Sequence, residues 1–189
     1  MTLVSNDPNS RVMVFIDLRN ILGSAEHHML SYKIDQYFLT TVLANSRRIV
    51  GAYVFDAKIP NDVSGTSERL HEKLKMQGFR VMARDSYDKS RNEQKEVDVA
   101  MACEMVVHAL RDNYDVAIVV SGDRDFIPAI QQIQAAGKMV EVAAFRNAVG
   151  KEMKVAADRF YDLDEIPLMR MEGCASADGG PDPYPEGAA

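Results

Sequence analysis

The sequence predicts an α/β domain: a mostly parallel sheet, strand order about 3-2-1-4-5, between two layers of helices. Three observations predict it. Short apolar, β-branched runs alternate with segments of helical periodicity, the pattern of parallel strands joined by crossover helices. Two of those runs end in aspartate, at Asp17 and Asp123, where open α/β sheets place their sites. The chain has 189 residues, 47% of them apolar and 26% charged, which suits one soluble domain with a core of its own.

In order, Arg11 to Asp17 is the first strand, apolar enough to be buried on both faces. Asp17-Leu18-Arg19-Asn20 leads into a short segment. Ile34, Tyr37, Phe38, Thr41 and Val42 fall at helix spacing and predict a helix over 34–45. Ile49 to Phe55 reads as the second strand. After a loop at 61–65, Thr66 or Ser67 can cap a helix that carries Leu70 and Leu74 and stops at Gly78. Phe79 to Ala83 is the third strand, and the polar stretch 84–93 an exposed loop.

Glu96 to Arg111 is the longest predicted helix, with Met101, Ala102, Met105 and Ala109 on its inner face and Glu104, His108 and Arg111 on the other. Asp115 to Val120 forms the fourth strand. Gly122 permits a sharp turn, and Phe126, Ile130 and Ile133 mark a helix with Pro128 in its first turn, closed at Gly137. Lys138 to Phe145 is the fifth strand, 149–157 a shorter helix, and Phe160 to Leu163 a sixth, edge strand. This divides the chain into an extension (1–10), a domain (11–167) and a tail (168–189). The tail's Gly, Pro, Ala and acids predict disorder.

Bulk features exclude several classes. No apolar run approaches the roughly 20 residues that span a bilayer, so no membrane partner is expected. Residues 1–11 do not read as a signal peptide, because Asn6, Asp7, Pro8 and Asn9 occupy the place of an apolar core; the expected location is cytoplasmic. Two cysteines and four histidines show neither a disulfide framework nor zinc spacing. The net charge is −6, of which −5 falls on residues 164–189, leaving −1 for residues 1–163. Charge therefore neither supports nor excludes a nucleic-acid substrate.

The predicted strand order puts Asp17 and Asp123 side by side. Asp98 lies three and four residues before Met101 and Ala102, hence on the inner face of a helix whose N-terminus sits over the same sheet edge. Each acid also has a plainer reading: Asp98 in a first helical turn, Asp123 in a solvated turn, Asp125 as an N-cap. Convergence of three remote segments is what favours a site. Clustered carboxylates repel and raise one another's pKa unless cations neutralise them, and an oxygen-only donor set suits Mg²⁺ or Mn²⁺.

Three ordered motifs carry a resemblance: Val14-Phe15-Ile16-Asp17-x-x-Asn20, Gln94-Lys95-Glu96-Val97-Asp98-Val99, and Ser121-Gly122-Asp123-Arg124-Asp125-Phe126-x-Pro128. Together they resemble the NYN domain, in its LabA-like branch, over roughly residues 11–163. The resemblance implies a PIN-like domain, a Rossmann-like three-layer αβα sandwich, and a divalent-metal-dependent ribonuclease. It implies Asp17, Asp98 and Asp123 as the metal-site acids with Asp125 a fourth, Mg or Mn as cofactor, and single-stranded RNA as the expected partner.

Asn20 then orients a carboxylate or phosphate, or caps a helix. Ser121 bonds a carboxylate or substrate, or finishes the turn. Lys95 meets phosphate or a neighbouring acid, or is a solvated lysine. Arg124 joins Arg19, Lys58, Lys89 and Arg91 as a candidate phosphate contact, and Tyr87 and Phe126 are aromatics that could stack a base, Phe126 equally a core residue. The family commonly has glycine where this chain has Glu96, which adds charge beside Lys95. The competing reading is a catalytically weak or inactive module that binds RNA or a protein, and self-association is left open. A phosphatase of the haloacid dehalogenase type is set aside, because Asp17-Leu18-Arg19 lacks the required Asp-x-Asp.

Overall fold

The computed structural model describes residues 7–28, 32–57, 65–84, 92–166 and 169–171. The elements run β1 (Arg11–Asp17), α1 (Leu18–His28), β2 (Tyr32–Ile34), α2 (Gln36–Ala44), β3 (Arg48–Ala57), α3 (Thr66–Met76) and β4 (Arg80–Arg84). They continue with α4 (Asn92–Leu110), β5 (Val116–Val120), a single 3₁₀ turn at Arg124–Phe126, α5 (Ile127–Ala135), β6 (Met139–Ala144), α6 (Lys151–Ala156), β7 (Arg159–Asp162) and β8 (Met169–Met171).

Six strands form one parallel sheet in the order β4-β3-β1-β5-β6-β7. That is the predicted order with the sixth strand added at the edge. Alternation along β1 divides the core in two. Val12, Val14 and Ile16 pack with Leu18, Ile21, Leu39, Leu43 and Leu74 on one face. Met13 and Phe15 pack on the other face with Val97, Met101 and Met105 of α4 and Ile130 and Ile133 of α5. Each such side chain contributes roughly 1.5–3 kcal/mol by leaving water. The result is three layers, helix on sheet on helix.

Several local expectations are corrected. The short segment after Asp17 is an eleven-residue helix, α1. Leu18, Ile21, Leu22 and Ala25 give it an apolar stripe, but Gly23 and two histidines weaken its local propensity. Neither Thr66 nor Ser67 caps α3. The cap is Gly65, in left-handed conformation, and Ser67 is buried in the first turn. Asp35 caps α2, accepting the Phe38 N–H at 3.0 Å. Met169–Met171, assigned above to the tail, pairs antiparallel with β2; the remainder of the predicted tail, and the loop 85–91 with Tyr87, Lys89 and Arg91, lie outside the described residues, as does Lys58. Among the described residues no helix is long and apolar enough to cross a membrane.

Candidate functional site

The site lies at the carboxyl edge of the central strands. β1 and β5 pair in parallel with Ile16 opposite Val120, so Asp17 and Ser121 emerge together. The Ser121 hydroxyl donates to Asp17 Oδ2 at 3.1 Å, and the Asn20 backbone N–H donates to Asp17 Oδ1 at 3.1 Å. Asn20 Oδ1 in turn accepts the Gly122 N–H at 3.0 Å. Two chain segments about a hundred residues apart are thus tied into one turn.

Gly122 is required by close approach, since a Cβ there would overlap the Ala148 carbonyl. That turn aims Asp123 outward. Asp123 accepts the Asp125 N–H at 2.9 Å and caps the 3₁₀ turn. The expected cap, Asp125, is instead inside the turn and exposed.

Asp98 reaches the same place from α4. Val97, Met101, Met105 and Ala109 form the buried stripe of that helix, and Asp98, beside the stripe, is half-buried. Burial pushes its carboxyl up to about 7, and the charges of Asp17, Asp123 and Asp125 push the same way. Asp17, 3% exposed, is raised to about 6, mainly by burial; its two hydrogen bonds oppose the shift, and the charges of Asp123 and Asp56 add to it. The structure therefore brings Asp17, Asp98, Asp123 and Asp125 within electrostatic reach of one another. Among the described residues none of the four is paired with a base.

The other expected residues are distributed unevenly. Ser121 is fully buried, so its hydroxyl serves Asp17 and the Asp123 N–H (3.2 Å). Arg124 is exposed beside the acids in sequence. Lys95 lies in the first turn of α4, its side chain outside the described residues, and Glu96 is exposed. Phe126 is 1% exposed and belongs to the core.

Sequence reasoning missed one group. Asp56, near the end of β3, is 1% exposed, with His71 Nε2 at 2.6 Å and Arg19 Nε at 2.6 Å. Arg19 Nε also donates to the Ala57 carbonyl at 2.9 Å, so this arginine is partly neutralised rather than free for phosphate. The signal was present: Val54-Phe55-Asp56 repeats the strand-then-aspartate pattern of Phe15-Ile16-Asp17.

The donor set, carboxylate oxygens of one buried, two half-buried and one exposed aspartate with no paired base among the described residues, fits a hard divalent cation. Among the described residues no three acids, histidines or cysteines form a ready-made metal-holding group.

The sequence profile of the NYN domain matches residues 11–164. The chain belongs to the NYN domain family. It is 26% identical over 165 residues to the low amplitude and bright protein LabA of Synechococcus elongatus, covering 83% of this chain and 86% of that one. Its fold is similar to the crystal structure of a protein of unknown function from Vibrio parahaemolyticus, with a TM-score of 0.70 and 23% identity, over 88% of this chain and all of the other. The NYN match spans all three acid-bearing motifs, so the acids lie inside the family's own segment.

Proposed function

We propose that this NYN domain is a divalent-metal-dependent ribonuclease that hydrolyses phosphodiester bonds of single-stranded RNA in the cytoplasm. One observation carries the reading: acids from three separate segments meet at one sheet edge, where burial, reinforced by the neighbouring carboxylates, raises Asp98 to about 7 and Asp17 to about 6. A fold keeps uncompensated carboxylates together at a cost in stability, which a bound cation offsets.

Asp17, Asp98 and Asp123 would hold Mg²⁺ or Mn²⁺, with Asp125 at the rim. The cation supplies charge stabilisation to a phosphoryl group in transition and lowers the pKa of water. The chain's own residues do the rest. Ser121 and the Asn20 backbone fix both oxygens of Asp17, and Asn20 pins the turn that aims Asp123. Ser121, being buried, positions an acid and does not meet substrate. Arg124, exposed beside Asp123, and Lys95 would meet phosphate, a contact that carries affinity without sequence preference.

Cleavage of end-labelled single-stranded RNA and DNA of the same sequence tests this, with Mg²⁺, with Mn²⁺ and with chelator. Metal-dependent RNA cleavage is expected, falling at least about a hundredfold in Asp123→Asn, the scale seen on removing an electrostatic stabiliser. The absence of a ready-made metal-holding group among the described residues favours the second reading, a catalytically inactive module that binds RNA or a protein. RNA binding without cleavage under every metal condition would decide for that reading.

A further inference from the structure

Away from the acids, the sheet has an unfilled slot. β3 runs ten residues, but β4 pairs only with Tyr53–Ala57, beginning at Tyr53 opposite Arg80. On that side Arg48–Ala52 has no neighbouring strand among the described residues. Beside it lies a cavity of about 290 Å³, walled by Ile49–Ala52, by Tyr37, Thr40 and Thr41 of α2, and by Gln77–Arg80. Five unpaired strand residues offer about 17 Å of edge.

Two features mark the slot as built for an occupant. Thr40 lines it and is 4% exposed, yet its hydroxyl has no hydrogen-bond partner among the described residues; Thr41 next to it bonds the Tyr37 carbonyl at 2.9 Å. Buried hydroxyls are normally paired. In addition, Tyr37, Phe38, Val42, Ile49 and Met76 are exposed on α2, at the start of β3 and at the end of α3. They are five of the nine large apolar side chains exposed among the described residues; Tyr37 and Ile49 line the slot itself, and Phe38, Val42 and Met76 belong to the elements that wall it. Such a concentration marks an interaction surface.

Charge and backbone geometry select the occupant. Arg80, held by the Tyr53 hydroxyl at 2.7 Å, is the one charged residue among those walling the cavity. Arg48 stands exposed at the start of the same strand, pairing with no carboxylate among the described residues. Two copies facing each other through this edge would oppose like charges. Val50 is also a bulge residue, because Val12 pairs with Ile49 and Met13 with Gly51. A bulge interrupts long edge-to-edge pairing and leaves only short register on either side.

We propose that this slot binds a short, extended, acid-flanked apolar segment of a partner protein, which adds to the open edge of β3. The backbone of Ile49–Ala52 supplies main-chain pairing, the apolar rim receives alternate side chains, and Arg48 and Arg80 meet the flanking carboxylates.

The test uses the full chain and a fluorescent amidated heptapeptide, Asp-Val-Thr-Val-Tyr-Val-Glu, with a control carrying Lys at both ends. Anisotropy at low salt should show saturable binding of the acidic peptide, at least about tenfold tighter than the control. Arg48→Glu should erase or invert that preference. Hydrogen exchange should slow at residues 49–52 when peptide binds. Equal binding of both peptides, no saturation, or protection elsewhere would overturn the proposal. So would a concentration-dependent dimer lost in Ile49→Lys, which assigns the edge to a second copy. Peptide binding that appears only after residues 172–189 are deleted would also overturn it, assigning the slot to the chain's own tail.

Discussion

Asp17→Asn should make the metal-free protein more stable at pH 8 and leave it unchanged near pH 4.5. Asp17 is buried and its folded pKa is about 6 against an ordinary 3.8. That difference of about two units makes the ionised group cost about 3 kcal/mol relative to the unfolded chain at pH 8. Asparagine removes that cost. It keeps only one acceptor oxygen for the Asn20 N–H and the Ser121 hydroxyl, so about 1–1.5 kcal/mol of hydrogen bonding is lost. The net gain is about 1–2 kcal/mol, or about 2–8 °C in Tm for a chain of this size.

A folded pKa above the unfolded one means that the native state binds more protons, so stability falls as pH rises from about 4 to about 6. At pH 4.5 about 1 kcal/mol of the cost remains, which the lost hydrogen bond cancels. Thermal and urea unfolding with chelator at both pH values measures the gap between the two proteins. Added Mg²⁺ or Mn²⁺ should raise the wild-type Tm and not that of the variant. A variant destabilised equally at pH 4.5 and pH 8 would show that Asp17 carries no charge penalty, and the crowded-acid argument would fall with it.

Three further outcomes follow from the same structure. Gly122→Ala should cost about 2–4 kcal/mol in urea unfolding, because its Cβ would overlap a backbone carbonyl that no side-chain rotation can move. Arg47→Met should cost about 3–5 kcal/mol, since it removes the bidentate partner, at 3.0 and 2.7 Å, of the fully buried Glu141; the double variant Arg47→Met, Glu141→Leu should recover most of the loss. The Tm rise produced by divalent cation should be full at pH 8 and decline as pH drops through about 7 and then about 6, as Asp98 and then Asp17 take up protons. A cation effect unchanged at pH 5 would place the ion elsewhere.

The sequence alone determined the layers, the strand order and three of the acids. Strand and helix periodicities are local, and β1 and β5 are so apolar that they can sit only in the middle of a sheet. Once they are neighbours, Asp17 and Asp123 have nowhere else to go. The helix stripe at Val97, Met101 and Met105 likewise places Asp98 over the same edge. Tertiary structure decided what depends on contact between remote segments. Asp123 rather than Asp125 caps the turn because Ser121 and Asn20 hold the preceding residues. Asp56 becomes a buried group because His71 and Arg19 arrive from other elements. Among the described residues the edge of β3 is open before Tyr53 because β4 begins only at Arg80, after α3 and its turn. Periodicity reports which face a residue takes. It carries no information on where a neighbouring strand stops, because that is fixed by packing between elements distant in the chain.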